Sequence, residues 1–336
     1  MNNELLTFAG LTATLKSAGE ATRLRILALL AEAELTVSDL TEILRQSQPR
    51  LSRHLRLLAE AGLVERFREG SWAFFRLGER GGGGADIARA LIGRLDPEDP
   101  IIARDRERLA AVRASRAAAA QNYFRRHAAQ WDRIRKLHVA DAAVEEAIRV
   151  ALADRPIRAL LDLGTGTGRM LELFAGDIER GLGLDLSLDM LALAREGLDR
   201  AGLKHCSVRQ GDIYDLALPR DSFDVVIVHQ VLHFLDDSAR AIREAARVLR
   251  PGGRLLVVDF APHDLEFLRE EHAHRRLGFS AETVTQWLEA AGLDVLRQQT
   301  FPPGPEGKIE ISLWLARDPR IVLAQPQTAD KTRELA

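Results

Sequence analysis

Cysteine is almost absent: Cys206 is the only one in 336 residues. That excludes a disulfide framework and any multi-thiolate metal centre built within one chain, and no metal site is expected. Long apolar runs are missing too. No stretch approaches about 18 uncharged apolar residues, so no membrane-spanning helix and no membrane partner are expected. The opening MNNELLTFAG has no basic region ahead of an apolar one. A signal peptide is therefore not expected, and the cytoplasm is the expected compartment. Aromatic residues are sparse at 5%, but hydrophobic residues reach 46% against 29% charged, enough for soluble globular cores. At about 150 residues per domain, the length implies about two domains.

Lysine is scarce as well, with 42 of the 47 basic residues being arginine. The net charge of −2 hides an asymmetry. Residues 45–76 carry seven Arg against three Glu, and residues 101–138 carry ten Arg/Lys against three acids. Between 154 and 316 the balance reverses, to 19 basic and 26 acidic residues. A basic front half before an acidic back half points to nucleic acid as the partner of the front.

Four segments follow from composition and periodicity: residues 1–78, a linking helical region at 79–153, an α/β region at 154–317, and a loose polar tail at 318–336. Gly81–Gly84 reads as a flexible hinge. In the first segment, Val37, Leu40, Ile43 and Leu44 sit at helical spacing behind a cap at Thr36 or Ser38. Pro49 opens a second helix on which Leu51, Leu55 and Leu58 share one face. Arg50, Arg53 and His54 fall on another edge, as a major-groove reading helix requires, and Gln48 and Ser52 are further DNA-contact candidates on the same helix. Residues 63–77, LVERFREGSWAFFRL, form two short strands, a wing whose Arg66, Arg68 and Arg76 approach phosphates. An ordinary helical hairpin with solvated arginines is the competing reading. The added wing and the local basic excess favour DNA.

Over about residues 12–78 the segment resembles the ArsR-type winged-helix repressors, in LKSAGEATRLRILALL, ELTVSDLTEIL, SQPRLSRHLRLLAEAGLV and the wing. The resemblance implies a homodimer on a near-palindromic double-stranded operator. Metal-sensing members place cysteines in the helix that reads ELTVSDL here, where Thr36 and Ser38 stand instead. Soft-metal sensing at that helix is not expected.

Residues 157–175 read as an apolar strand, a glycine-rich turn and a helix, with Gly164, Gly166 and Gly168 leaving the backbone open to a ligand. A glycine-rich turn alone is weak evidence. Its spacing is Gly-x-Gly-x-Gly, and Arg169 stands where a dinucleotide fold wants its third glycine. Later strands end at Asp185, just before Asp212, at His229–Gln230 and at Asp259. Carboxyl ends of parallel strands are where open α/β sheets bind ligands.

The motifs LDLGTGTG, GLGLDLS, RQGDIYDLALPRDSFDVVIVHQVLHFLDD and LRPGGRLLVVDF resemble the class I S-adenosylmethionine-dependent methyltransferases, across about residues 120–316. The resemblance implies a Rossmann-like domain with a seven-stranded, mostly parallel sheet behind the winged helix-turn-helix domain, as in bacterial regulator–methyltransferase fusions. It implies S-adenosylmethionine as cofactor and S-adenosylhomocysteine as product. By resemblance Asp162, Gly164 and Gly166 meet the methionine end, Asp185 the ribose, Asp212 and Ile213 the adenine, and His229 the sulfonium. Thr165, Gly168, Leu186, Met190, Gly211 and Gln230 complete the candidate cofactor set.

Alignment of the reactants does most of the work in methyl transfer, so no catalytic residue is strictly required. For a hydroxyl acceptor or an acidic carbon, His229 and His263 are the candidate bases, and His233 reads as structural. After the fourth strand, HQVL replaces the motif of DNA-adenine methylation. Cys206 lacks the proline of a cytosine C5 nucleophile, and arsenite methylation needs several cysteines. A small organic acceptor remains. Residues 262–292, with Glu271, His272 and His274, read as solvated or substrate-facing rather than metal-binding. Tyr123, Trp131 and His138 are candidates to cap the pocket or to pack a dimer. Three readings stand: a regulator fused to a working methyltransferase, a non-catalytic sensor of S-adenosylmethionine or S-adenosylhomocysteine controlling methionine-cycle genes, and an enzyme whose winged helix only dimerises.

Overall fold

A computed structural model describes residues 5–69, 71–78, 83–128, 141–303 and 309–321. α1 (Phe8–Ala18) and α2 (Ala21–Leu30) begin at Thr7 and Glu20, whose side chains accept from the Gly10 and Arg23 amides. β1 (Leu35–Thr36) runs into α3 (Val37–Leu44). There Thr36 and Asp39 form a reciprocal capping box, so the cap falls on Thr36. Arg45, at φ 52°, ends α3 and turns the chain into α4 (Gln48–Glu60). Pro49 lies in its first turn, and Leu51, Leu55 and Leu58 are fully buried. β2 (Val64–Glu69) and β3 (Trp72–Leu77) then form an antiparallel hairpin, with β1 on the other edge of β3.

α5 (Gly83–Ile92) and α6 (Pro100–His127) follow. The helix starts inside the glycine run, which corrects the hinge expected at Gly81–Gly84: Gly83 and Gly84 are buried. A Cβ at Gly84 would come within 2.7 Å of the Ala61 and Gly62 carbonyl oxygens, so this glycine permits close packing on the turn after α4. Ala88, Leu109 and Val112 of α5 and α6 join the amino-terminal core. Asp105 takes both guanidinium arms of Arg25 at 2.6 Å. The far end of α6 continues to the other half of the molecule, where Phe124 meets Phe234.

That half is one sheet. It comprises β4 (Ile157–Leu163), β5 (Ile178–Asp185), β6 (Cys206–Gln210), β7 (Phe223–His229), β8 (Leu249–Phe260), β9 (Asp294–Phe301) and β10 (Ile311–Arg317). The order is β6-β5-β4-β7-β8-β10-β9, with only β10 antiparallel to its neighbours. This is the expected mixed α/β class with a seven-stranded, mostly parallel sheet. Its central strands β4, β7 and β8 are buried and mainly apolar on both faces. Leu161, Val226 and Val257 point to one core, Leu160, Val225 and Leu256 to the other. The helices covering it are α7 (Asp141–Leu152), α8 (Arg169–Phe174), α9 (Leu188–Arg200), α10 (Ser238–Arg247), α11 (Phe267–Glu271) and α12 (Ala281–Ala290).

The tail expected to be loose from Asp318 is anchored at its start: Asp318 is buried and exchanges backbone bonds with Gly252 and Gly253. Trp131 and His138 lie outside the described residues. Gly84→Ala is expected to destabilise the chain by about 1–3 kcal/mol through overpacking, read as a lowered midpoint in urea denaturation. An unchanged midpoint would contradict the packing described.

Candidate functional site

The carboxyl ends of β4, β5 and β7 open into one cavity of about 500 Å³. Between β4 and α8, Gly164, Gly166 and Gly168 all take left-handed backbone, at φ 70°, 53° and 87°. A side chain at Gly164 would collide with Val231, so the turn brings its backbone against the loop after β7. Asp162 and Thr165 lie in the wall, joined by a 2.6 Å bond from the threonine hydroxyl. Gly168 caps α8 and is not in the wall.

Asp185 ends β5. Its two oxygens accept from the Ser187 and Gly166 amides at 2.8 and 2.9 Å. Burial pushes its carboxyl above the usual carboxylate range despite those bonds. A carboxylate offers about four lone-pair sites, so acceptor capacity for a diol is left. Leu186, Met190, Gly211 and Ile213 supply an adjacent, mainly apolar wall. Asp212, expected beside them, is exposed outside the wall, its Oδ1 accepting from the Tyr214 amide at 2.8 Å.

His229 and Gln230 close β7 and both face the cavity. Gln230 sits at φ 56°, strained for a residue with a side chain, and is 8% exposed. Its Nε2 finds no hydrogen-bond partner among the described residues. A buried donor costs about 1–3 kcal/mol when unmet, which fits a ligand acceptor at this point. The residues present thus fit an adenosyl ligand: a carboxylate for hydroxyls, an apolar slot, bare glycine backbone and a waiting donor.

His263 does not join them, which corrects its place among the candidate bases. Its Nδ1 accepts from the Leu265 amide at 3.3 Å, outside the cavity wall. Burial pushes its pKa down to about 4, so it stays neutral. His233 is structural, as read: it bonds Asp259 at 2.7 Å, both buried, and Asp259 also holds the Leu232 and Phe260 amides. The Asp259 carboxylate therefore fixes the turn after β7 and does not line the cavity.

The opposite wall comes from the amino-terminal half. Trp72 of β3 and α6 residues from Arg113 to Phe124 line it, together with Phe234, Asp236, Arg269, His274 and Arg275. Strand alternation and register put Glu65, Phe67 and Glu69 on one face of the hairpin with Trp72, Phe74 and Arg76. That face is packed against 269–277. Arg269 stacks over Trp72 at 4.5 Å, and Arg276 over Phe74 at 5.0 Å. Arg276 pairs with Glu69 at 2.7 Å and Glu34 at 2.6 Å. Burial opposes its charge, but these two carboxylates outweigh it and hold its pKa above the ordinary value. Asp39 binds Arg116 and, at 3.1 Å, Arg275, and both arginines reach Asp236 at 3.0 and 3.1 Å. Of the stretch 262–292, expected to be solvated or substrate-facing, residues 266–277 form a seam between the two halves, while Arg269, His274 and Arg275 also line the cavity. His272 bonds the Tyr123 hydroxyl at 2.7 Å.

On α4, Gln48, Arg50 and Arg53 are exposed and Ser52 is half-buried; Arg66 and Arg68 are exposed on the hairpin. Two expectations need correction. The His54 side chain is 13% exposed, turned to Glu20 at 3.6 Å rather than outward, because it lies under the start of α2. Arg76 lies on the docked face of the hairpin, bound to Glu65 at 3.0 Å and stacked on Phe67 at 5.4 Å.

The profile "Bacterial regulatory protein, arsR family" matches residues 20–66, and "Methyltransferase domain" matches residues 161–257. The phosphatidylethanolamine N-methyltransferase of Cereibacter sphaeroides is 32% identical over 152 residues, 43% of this chain and 74% of that protein. The uncharacterized methyltransferase YcgJ of Bacillus subtilis is 34% identical over 106 residues, 31% of this chain and 42% of that protein. The chain spans about half the length of other curated relatives it matches. Among solved structures, an S-adenosylmethionine-dependent methyltransferase from Mesorhizobium loti is similar at 23% identity and a TM-score of 0.44, covering 51% of this chain and 96% of that one.

Because the Asp185 pKa is raised on folding, the unfolded chain releases this proton at lower pH than the native one. Stability from this group therefore falls as pH rises through that window. Relative to Asp185→Asn, the wild type is expected to lose stability between the ordinary carboxylate range and the raised pKa. A stability difference that stays flat across that range would contradict the assignment.

Proposed function

Because this chain belongs to the S-adenosylmethionine-dependent methyltransferases and carries an arsR-family helix-turn-helix domain ahead of that fold, we propose that it is a DNA-binding transcriptional regulator that methylates a small organic acceptor. One observation carries the proposal: a single cavity is walled on one side by the cofactor motifs and on the other by the amino-terminal domain.

Asp185 would hold the ribose, Leu186, Met190 and Ile213 the adenine, and Asp162, Gly164 and Gly166 the methionine end. The Gln230 Nε2 donates to a ligand acceptor. S-adenosylmethionine, when bound, supplies a methyl group already activated on a sulfonium. The chain orients the acceptor and excludes water. His229, at the end of β7 and in the cavity wall, would take a proton from an acceptor hydroxyl.

The DNA side rests on Gln48, Arg50, Ser52 and Arg53 of α4 and on Arg66 and Arg68 of the wing, exposed or half-exposed in a basic segment. A homodimer is supported by the apolar stripe Phe8, Leu11 and Leu15, exposed along α1, with Leu5 exposed just ahead of it. No described helix is long and apolar enough to cross a membrane.

A second reading, a sensor of S-adenosylmethionine or S-adenosylhomocysteine without turnover, is favoured by the seam: Trp72, Arg116, Asp236 and Arg275 both wall the cavity and clamp the two domains. Differential binding to two dockings of the domains would couple the cavity to operator affinity. Methionine-cycle genes fit either reading, given the ligand.

Two variants separate the parts. Asp185→Ala is expected to weaken S-adenosylhomocysteine binding about 100-fold in calorimetry while leaving DNA affinity intact. Arg53→Ala is expected to cost about 1–3 kcal/mol of DNA affinity and none of the ligand affinity. Unaltered ligand affinity in Asp185→Ala would refute the cofactor site.

A further inference from the structure

The wall facing the cofactor motifs combines aromatic rings with a run of alanines. On α6, Ala117, Ala120 and Phe124 follow at helical spacing on one face, and all three line the cavity. The run Ala117–Ala120 removes side-chain bulk where the helix passes the opening. Phe124 meets Phe234 edge-on at 4.8 Å, and Phe234 meets His274 edge-on at 5.1 Å. Trp72, 39% exposed, adds an indole from another domain to the same lining.

Charge in this wall is balanced. Arg269 and Arg275 pack over the indole at 4.5 and 5.5 Å, and Arg116 lies beside them. Arg269 pairs with Glu69 and Glu266 at 3.4 and 3.5 Å. Arg116 and Arg275 share Asp39 and Asp236. Arg113 gives its hydrogen bond to the Glu32 carbonyl at 2.8 Å. With Arg113 and Arg276 counted, five guanidiniums stand against five carboxylates, Glu34, Asp39, Glu69, Asp236 and Glu266, so no net positive charge around Trp72 selects an anion. Aromatic rings and alanines select shape instead: a flat apolar body packs against them with little steric cost.

We propose that Trp72, a residue of the DNA-binding domain, is a specificity-determining residue of the methyl-transfer cavity, and that the acceptor is a flat, uncharged aromatic molecule lodged between Trp72 and Phe124. The inference rests on the methyltransferase reading above. It makes the hairpin part of the acceptor site, so removal or rotation of the amino-terminal domain dismantles the pocket without touching the cofactor motifs.

The test uses the full chain saturated with S-adenosylhomocysteine and 2-naphthol as probe, by calorimetry. The wild type is expected to bind the naphthol, and 2-naphthoate, of similar shape but charged, about tenfold more weakly. Trp72→Ala and Trp72→Leu are each expected to weaken naphthol about tenfold, in samples verified to be saturated with S-adenosylhomocysteine. Trp72→Phe is expected to restore naphthol binding to within about threefold of wild type. Trp72→Leu keeps apolar bulk, so the test survives if the alanine variant unfolds. Naphthol affinity that ignores both substitutions, a preference for naphthoate, or no naphthol binding to the loaded wild type would overturn the proposal. Failure of the wild type to bind S-adenosylhomocysteine at all would overturn the methyltransferase reading itself.

Discussion

The Asp39 carboxylate is the contact on which the rest of this molecule turns. It closes the capping box of α3 by accepting from the Thr36 amide at 2.9 Å, and it also binds Arg116 and Arg275. Those arginines reach Asp236, just beyond the β7 turn. One buried carboxylate therefore ties a helix start in the DNA-binding domain to α6 and to the rim of the ligand cavity. Breaking one partner of a buried ion pair costs about 3–5 kcal/mol, because the remaining charges stay in a poor solvent. The four groups are thus expected to engage or release together. Glu69, between Arg269 and Arg276, repeats the arrangement on the hairpin.

This explains why the cavity has walls of two origins. Strand ends and the glycine turn build the cofactor side, and their strain is local: a left-handed Gln230, a crowded Gly164, a carboxyl at Asp185 that burial keeps reluctant to ionise. The opposite side depends on docking. Trp72, Arg116 and Arg275 meet only while the seam is closed, so whatever fills the cavity touches the contacts that hold the DNA-binding domain.

Much of the cofactor side was legible in the sequence, because its signals are local. Apolar strands followed by Gly164, Asp185 and His229 at fixed offsets need no knowledge of the partner segment. The leucine face of α4 was legible for the same reason, since helical period alone puts Leu51, Leu55 and Leu58 together. His54 was misread because period shows which way a residue points from its helix, not what another helix lays over it. Arg76 and His263 failed likewise: the hairpin face and the turn before Leu265 are decided by segments about 200 residues away or by buried backbone. The seam left almost no trace. Arg269, Arg275 and Arg276 sit in a polar stretch that looks solvated until Trp72, Phe74 and Glu69 are brought against it. A possible signal was the unusual concentration of Phe67, Trp72 and Phe74 alternating on one hairpin face, more apolar surface than a free wing would expose.

Under the proposed function, a ligand that favours one docking of the domains would link cavity occupancy and DNA affinity in both directions, through the residues that cavity and seam share. Fluorescence anisotropy of the full chain on its own upstream DNA, with S-adenosylmethionine, S-adenosylhomocysteine or neither, tests this most directly. The linkage predicts a shift in DNA affinity of about fivefold or more with at least one ligand, matching a coupling of about 1 kcal/mol. Superimposable binding curves under all three conditions, with ligand binding verified in the same samples, would contradict it.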